Sequence, residues 1–378
     1  MERRQLINLL AAISAITVFG FTLGLMFPLL SLILEQRGMS AEVIGYNTAM
    51  QPLGIILSIL AIPALVRRFG AKASVIGAAL LTASVVCAYP YAPVFWWWFA
   101  LRFLHGFFVS TLFAVSEAWV VKFSEGPYRS RILALYTSVL AASFGGGPAL
   151  ISLTGTDGPA PFLIGGLILV IAAAPIFLVQ DDDVPSEDET ALSVMGFAAK
   201  APMLLAAVGI FAVVDAACLG FLPVYGVRKG MTAEMAALAL TAFIVGNTVL
   251  QFPIGWLADH YPKHRITAGC TAITALACAL IPVSFGTPFL WIVLMVAGAS
   301  SAGIYTVALA RLGEGFSGHD LVAGTASFST TWGIGALLGA LGAGWSIQAF
   351  GLDGLPYTLA VIFAMFLFAM LASPRPAR

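Results

Sequence analysis

The chain has 378 residues, of which 60% are hydrophobic and only 10% are charged, and its mean hydropathy is +0.98. Soluble domains are on average about 45–50% apolar and about 25% charged, so this composition excludes a soluble globular protein. Eighteen basic and eighteen acidic residues leave no net charge, which argues against a nucleic-acid partner. The apolar stretches are continuous and mostly about twenty residues or longer, as in spanning helices and unlike barrel strands. We therefore predict an all-α membrane protein.

Apolar runs between charged or turn-rich breaks predict twelve spanning helices. In chain order they cover residues 6–34, 42–66, 72–90, 94–122, 130–153, 160–179, 200–226, 234–258, 265–285, 288–311, 321–348 and 354–372. The longest polar stretch, Asp181–Thr190, is acidic and follows the sixth run. It predicts two pseudo-symmetric six-helix bundles, residues 1–180 and 200–378, joined by a cytoplasmic linker over residues 181–199.

The basic residues predict that both termini lie in the cytoplasm. With the N-terminus inside, the inside loops and helix ends contain fourteen of the eighteen Lys and Arg residues. The outside loops contain Arg37, Arg228 and Lys229. This asymmetry follows the positive-inside rule, and Trp96–Trp98 then mark the outer interface of the fourth helix.

Nothing in the sequence predicts catalysis or a cofactor. It contains no phosphate loop, no HExxH motif and no plausible nucleophile–base pair, so we expect neither an enzyme nor an ATP-driven pump. The four cysteines lie in apolar surroundings without CxxC spacing, and we expect neither disulfides nor a metal site.

Four local motifs lie in the predicted loops and helices. After the eighth span, residues 255–259 (GWLAD) are followed by basic residues, and residues 63–72 keep the bases and glycine but have Val66 in place of the acid. Arg102-x-x-x-Gly106 lies in the fourth span, and residues 145–148 (GGGP) lie in the fifth. Together with the six-plus-six arrangement, these motifs resemble the signature elements of the major facilitator superfamily.

Two further regions resemble one bacterial branch of that superfamily. Residues 116–119 (SEAW) followed by residues 129–136 (RSRILALY), and residues 303–310 (GIYTVALA), are similar to the YcaD-like transporters. The resemblance implies a multi-pass protein of the bacterial inner membrane, with a central cavity lined by the first, fourth, seventh and tenth helices. The glycine–proline segment resembles a motif associated with antiporters, which implies export and gating roles for Gly147 and Pro148.

Asp215 is the clearest candidate for proton coupling. It lies midway along the seventh span, and no basic residue lies within one helical turn of it. A charge at a helix centre costs about 2.5–3.5 kcal/mol on insertion scales, so it needs a partner, a water-filled cavity or a functional reason. The alternative is a structural carboxyl group hydrogen-bonded to a neighbouring helix.

The fourth span carries three further ionisable residues: Arg102, His105 and Glu117. Arg102 is expected to bind an anionic group or to pair with Asp215, and the alternative is snorkelling to the interface. His105 is either a proton relay or a packed histidine. Glu117 lies about 22 Å along the helix from Arg102 and joins either the coupling groups or a cytoplasmic network with Lys122, Arg129 and Arg131.

Polar and aromatic residues of the cavity helices, with one aromatic residue of the eleventh span, complete the predicted substrate site. Besides Arg102, these candidates are Thr17, Thr22, Trp119, Ser301, Tyr305, Thr306 and Trp332. The aromatic residues among them have facing lipid or a neighbouring helix as their alternative. In the eleventh span, Gly335-x-x-x-Gly339 and residues 342–344 predict close approaches between helix backbones.

Charged residues at the cytoplasmic ends predict a gate. Asp259 is expected to cap the fifth helix near Arg129 and Arg131, a lock that the other half lacks because of Val66. Glu314 and Asp320 are expected to meet Arg67 or Arg68 instead, and Arg311 ends the tenth helix as a further gating candidate.

These expectations define a secondary active transporter that moves a small organic solute by alternating access. Proton-coupled antiport is the favoured reading, with Asp215 as the main coupling group and His105 and Glu117 as lesser ones. A proton-coupled or facilitative importer, and a membrane binding or sensor protein that does not transport, are the alternatives. We expect a monomer whose partners are a small solute, protons and the lipid bilayer, with no nucleic acid; the substrate itself is not predicted.

Overall fold

The structure, a computed structural model, describes residues 3–92, 95–123, 129–179, 191–316 and 319–372. Within these ranges the regular elements are helical, and no strand occurs in them. Twelve spans in the described ranges are long and apolar enough to cross a membrane, from Leu6–Gln36 to Gly354–Ala372. The prediction of twelve spanning helices is confirmed.

The helices follow one another with short connections. In chain order they are α1 Arg3–Gln36, α2 Ala41–Phe69, α3 Ala71–Ala88, α4 Trp96–Phe123, α5 Arg129–Thr154, α6 Ala160–Ala173, α7 Ala191–Lys200, α8 Pro202–Arg228, α9 Ala233–Val249, α10 Gln251–His260, α11 Lys263–Ser284, α12 Phe289–Gly315, α13 His319–Phe350 and α14 Gly354–Ala372. Two 3₁₀ turns, Tyr89–Tyr91 and Ala174–Leu178, extend α3 and α6.

The eighth span consists of two helices, α9 and α10, with a break at Leu250. Pro253 explains the break, because it has no N–H to donate to the carbonyl of Val249 and its ring crowds that carbonyl. Gln251 Nε2 donates to Asn247 Oδ1 across the break at 2.9 Å. This side-chain bond adds to the backbone bonds of Leu250, which donates to Gly246 O and accepts from Ile254 N.

The contacts divide the chain into two compact units. The first unit is Met1–Gly38 with Asn47–Glu187, and the second unit is Met39–Tyr46 with Asp188–Arg378. In the first unit, α1 is the most deeply buried of the spans, because it packs against α4, α5 and α6. In the second unit, α8 packs against α13, and α12 packs against both α9 and α11.

Glycines set the closest helix crossings in each unit. At the α1–α5 crossing, a Cβ on Gly147 would lie 2.1 Å from Gly24 C, and one on Gly24 would lie 2.0 Å from Phe144 O. At the α8–α13 crossing, a Cβ on Gly335 would lie 2.5 Å from Gly209 O, and one on Gly339 would lie 2.3 Å from Val213 O. Any larger side chain at these positions would push the helices apart, so the predicted close packing of Gly335 and Gly339 is confirmed.

The α2–α4 and α9–α12 crossings follow one pattern. In each crossing, both helices contribute one glycine, and each glycine faces the backbone of the other helix. The residue that it faces stands three positions before the glycine of that other helix. The pairs are Gly106 with Gln51 and Gly54 with Phe103 in the first unit, and Gly298 with Phe243 and Gly246 with Met295 in the second. The second unit thus repeats the helix packing of the first, residue for residue at these crossings.

Part of the region predicted as a linker is a docked helix. Residues 180–190 lie outside the described ranges, but α7 covers Ala191–Lys200 within the segment predicted as 181–199. Phe197 is buried, with its ring centroid 4.9 Å from that of Phe316. Lys200 Nζ lies 2.7 Å from Asp320 Oδ1. The end of the linker is therefore anchored to the second unit.

Candidate functional site

Arg102 lies on α4 and is fully buried, with 0% of its side chain exposed. Its Nη1 donates to Asn47 Oδ1 at 2.9 Å and its Nη2 donates to Phe27 O at 3.4 Å. The guanidinium also lies 5.5 Å from the centroid of the Phe27 ring. These partners belong to the first unit, whereas the sequence offered Asp215. Burial of the whole side chain rules out snorkelling.

Several unpaired polar groups accompany Arg102. Asn47, Gln51, Tyr89, Arg102 and His105, which we call the Arg102 cluster, are all buried side chains of the first unit. Within the described part of the chain, Arg102 Nε, Asn47 Nδ2, Tyr89 Oη, His105 Nδ1 and both amide atoms of Gln51 have no hydrogen-bond partner. Unpaired buried polar groups are rare in folded proteins, and a buried cation with only neutral partners is rarer still. The cluster thus places one cation and several unpaired polar atoms in the interior of the first unit.

His105 and Thr22 form one contact between α4 and α1. His105 Nε2 lies 2.8 Å from Thr22 Oγ1, and both side chains have 0% exposure. Which atom donates depends on the histidine tautomer. The structure thus joins a residue predicted for proton coupling to one predicted for substrate binding. Both side chains are sealed from solvent in this structure.

Glu117 is distant from the Arg102 cluster along α4 and is partly exposed. The adjacent Ser116 Oγ lies 2.9 Å from Tyr136 Oη, which ties α4 to α5. Glu117 itself has no hydrogen bond or ion pair within the described residues. Of its expected partners, Lys122 lies 5.8 Å from the Phe123 ring. The side chains of Arg129 and Arg131 lie outside the described residues.

Asp215 lies midway along α8 and is 9% exposed. It has no hydrogen bond or ion pair with any residue that the structure describes. One turn before it, the Phe211 ring lies 5.2 Å from the Tyr305 ring of α12, which in turn lies 6.3 Å from Phe328 of α13. Asp215 therefore lies one helical turn from a cluster of aromatic rings, and its carboxyl group has no counter-charge among the described residues.

The other predicted substrate residues are divided between the two units. Hydroxyl groups of three of them bind backbone carbonyls of their own helix: Thr17 to Ile13, Ser301 to Gly298 and Thr306 to Ala302. Such bonds satisfy the hydroxyl locally and do not require a ligand. Trp119 is fully buried, while Tyr305 and Trp332 are partly exposed.

Two of the predicted gate residues have lysine partners. Lys263 Nζ lies 2.8 Å from Glu314 Oε1, and Asp320 binds Lys200 of α7. Each acid thus lies at a helix end and pairs with a lysine of the second unit. The expectation that Glu314 and Asp320 meet Arg67 or Arg68 stays a prediction.

The remaining gate candidates lie at helix ends. Arg67 and Arg68 are exposed, and Arg68 lies 5.3 Å from the Phe69 ring. Asp259 is exposed near the end of α10, and Arg311 is partly exposed near the end of α12. Gly147, followed by Pro148, lies at the α1–α5 crossing.

Sequence reasoning missed an ionic contact between α8 and the start of α14. Asp353 accepts hydrogen bonds from Tyr225 Oη at 2.7 Å and from Lys229 Nζ, whose closest distance is 2.8 Å. Partial burial acts to raise the pKa of Asp353, but the bonds from Lys229 and Tyr225 outweigh it and hold the pKa below its ordinary value. The sequence did contain a signal for this contact, because Lys229 was assigned to an outside loop and the acid Asp353 lies in a short loop of the same half.

The amides of the Arg102 cluster were also missed. Asn47 and Gln51 are one helical turn apart in an otherwise apolar span, which places both on one face of α2. Two uncharged amides at that spacing, in a helix next to a buried arginine, were sufficient to suggest a polar contact.

Comparison with known proteins identifies the family. The sequence profile of the Major Facilitator Superfamily matches residues 12–239 and 229–378. The chain belongs to the major facilitator superfamily. As in the resemblance inferred from local motifs, it is similar to MFS-type transporters, and the predicted fold class, twelve helices in two pseudo-symmetric bundles, is confirmed.

Curated relatives and solved structures of the superfamily cover nearly the whole chain. The uncharacterized MFS-type transporter YfkF of Bacillus subtilis (strain 168) is 25% identical over 370 residues, covering 95% of this chain and 94% of YfkF. YcaD of Escherichia coli O139:H28 is 23% identical over 330 residues, covering 86% and 85%. A crystal structure of the nucleoside transporter NupG shares the fold with a TM-score of 0.78 at 13% identity, covering 96% of this chain and 99% of NupG. This superfamily member is therefore a multi-pass membrane transporter of a small molecule.

Proposed function

We propose that the protein is a proton-coupled antiporter that exports a small organic solute by alternating access. The observation that carries the proposal is Asp215, a buried carboxyl group in α8 without a counter-charge among the described residues. The transporter class follows from membership of the superfamily, whereas the proton coupling and the direction of transport are part of our proposal.

A proton explains how such a carboxyl group is used. In apolar surroundings the ionised form of a carboxylic acid loses its solvation and is disfavoured, whereas in contact with water it is favoured. An acid that meets water on one side and packed helices on the other therefore binds and releases a proton in each cycle. The partly exposed Tyr305 near Asp215 supports a solute site at the same depth.

Two residues support the direction and the gate. Gly147 and Pro148 lie where α5 crosses α1 most closely, and a proline there leaves a backbone carbonyl of α5 without its helical donor. Such a point lets a helix bend without losing its packing. We assign to Gly147 and Pro148 the hinge that seals the bundle during antiport. We also propose that His105 and Glu117 take part in proton movement.

The same proposal covers location and assembly. The resemblance to bacterial MFS-type transporters favours a protein of the bacterial inner membrane, and the distribution of basic residues favours both termini in the cytoplasm. We propose that it acts as a monomer, because each unit of the chain buries its own polar clusters. It performs no chemical conversion of its solute, since its relatives are transporters.

Proteoliposomes with an imposed pH gradient test the coupling. A panel of radiolabelled organic solutes, including nucleosides because NupG shares the fold, is screened for gradient-driven flux while an internal dye records proton movement. For a transported solute, we expect Asp215→Asn to abolish gradient-driven accumulation and solute-induced proton movement while it retains exchange at equal pH.

The matched control is Asp157→Asn, which makes the same change in an exposed loop acid. Unchanged gradient-driven flux in Asp215→Asn, or an equal loss in Asp157→Asn, would remove Asp215 from the coupling mechanism. Solute flux in the same direction as the proton flux would identify an importer. Solute binding without any flux would leave only a binding or sensor protein.

A further inference from the structure

A cavity of about 260 Å³ lies within the first unit, at the membrane surface opposite the N-terminus. Its lining comes from the ends of α1, α4 and α6 and from the loops beside them. The lining residues are Ile33, Arg37, Pro90, Tyr91, Trp98, Thr156, Gly158, Pro159 and Phe162. None of the groups assigned to transport above lines it.

Arg37 gives this cavity a positive charge held in a fixed position. Its guanidinium carbon lies 4.3 Å from the centroid of the Trp98 ring, and Trp98 is only 1% exposed. Stacking on a buried ring restricts an otherwise flexible cation. The backbone N–H of the exposed Arg37 donates to Ile33 O, but within the described part of the chain its guanidinium has no hydrogen bond and no acidic partner, so the guanidinium donors are available to a ligand.

Two further donors point to an anion. Trp98, which lines the cavity, has an Nε1–H without an acceptor among the described residues. The first turn of α6 begins at Ala160, directly after the lining residues Gly158 and Pro159. Pro161 has no N–H and Leu163 N donates to Pro159 O, so the backbone amides of Ala160 and Phe162 are the first-turn donors without an intrahelical acceptor, and they carry a partial positive charge. All three features favour negative charge in the cavity.

The position of the cavity favours a phosphate group. It lies where α1 ends and α4 and α6 begin, and the ends of helices long enough to span a membrane are where lipid headgroups are expected. The exposed Trp96 and Trp97 beside it are typical of the membrane interface. The cavity is larger than a simple ion requires, and arginine binds phosphate with paired hydrogen bonds.

We propose that this cavity binds a phosphate-bearing anion, presented either by an anionic phospholipid or by a soluble phosphate ester. The only acid of the adjoining loop, Asp157, is exposed and does not line the cavity. Its removal is therefore expected to leave binding unchanged or to strengthen it, the opposite of the effect at Arg37.

Two arms of one experiment distinguish the sources of the anion. In the first, native mass spectrometry measures phosphatidylglycerol retained by the full chain from mixed phosphatidylglycerol and phosphatidylcholine micelles. In the second, calorimetry measures binding of glycerol 3-phosphate to the detergent-solubilised protein. Retention of phosphatidylglycerol alone identifies the lipid as the ligand, and binding in the second arm identifies a soluble ester.

Variants test the assignment in whichever arm shows binding. We expect Arg37→Gln to weaken binding about tenfold or more, the loss typical of a hydrogen bond to a charged group. Arg37→Lys keeps the charge without the planar stacking and should fall between. The matched control Arg228→Gln removes a cation of the second unit and should have no effect. Absence of binding in both arms, or equal losses in Arg37→Gln and Arg228→Gln at unchanged thermal stability, would overturn the proposal.

Discussion

Replacement of Gly339 by alanine tests whether direct backbone contact sets the distance between α13 and α8, the helix that carries Asp215. The added Cβ would lie 2.3 Å from Val213 O, whereas ordinary van der Waals contact begins at about 3.4 Å. The two helices must therefore separate by roughly 1 Å, enough to lose a quarter to a half of each contact across the crossing. Overpacking of this kind costs about 1–3 kcal/mol, equivalent to a fall on the order of 5 °C in the unfolding temperature.

Gly342 in the same helix provides the control. A Cβ on Gly342 meets nothing within 4 Å, so Gly342→Ala should be neutral or stabilising by up to about 1 kcal/mol through helix propensity. Thermal unfolding of the purified variants in detergent, followed by tryptophan fluorescence, measures the difference. Equal unfolding temperatures for the two variants would refute the idea that backbone contact determines this crossing.

Three further predictions concern separate parts of the chain. Asn47→Leu should destabilise the protein by about 1.5–3 kcal/mol in denaturant unfolding, because buried Arg102 loses its side-chain acceptor; an unchanged midpoint would contradict the contact. The pKa of Asp353 is held low, so its bond to Lys229 should stabilise the protein at pH 7 and be lost only as the pH falls below about 4. Asp353→Asn should therefore remove this part of the acid dependence in thermal unfolding. Phe197→Ala removes about 3–5 kcal/mol of packing and should release α7. The release should appear as faster proteolysis before residue 201. Fast cleavage of the parent protein would show that α7 is not docked.

The spans and the close crossings could be predicted because they depend on local sequence. Continuous apolar length identifies a membrane helix regardless of its neighbours, and the four-residue spacing of Gly335 and Gly339 already places both on one helix face. The break at Leu250 was not predicted, although Pro253 accounts for it. A proline inside a membrane helix is often tolerated, so its effect depends on the surrounding packing.

The partners of the charged residues could not be predicted, because they depend on tertiary contacts. Arg102 was expected to find a carboxylate but binds an amide and a backbone carbonyl instead. Glu314 was expected to reach another half of the chain but binds Lys263. Several acids and bases compete at each helix end, and sequence spacing does not say which of them lie within 4 Å. For Asp215, the sequence showed the absence of bases within its own span but not whether Arg102 of another helix would pair with it.

The burial of Arg102 also has an electrical consequence. Arginine keeps its positive charge in proteins, and the neutral groups around this side chain do not cancel it. A charge carried across the whole membrane gains or loses about 2.3 kcal/mol for every 100 mV of voltage. If α4 shifts by even a fifth of the bilayer thickness during a cycle, Arg102 alone contributes about 0.5 kcal/mol per 100 mV, and the rate of the cycle then depends on the membrane potential as well as on concentration.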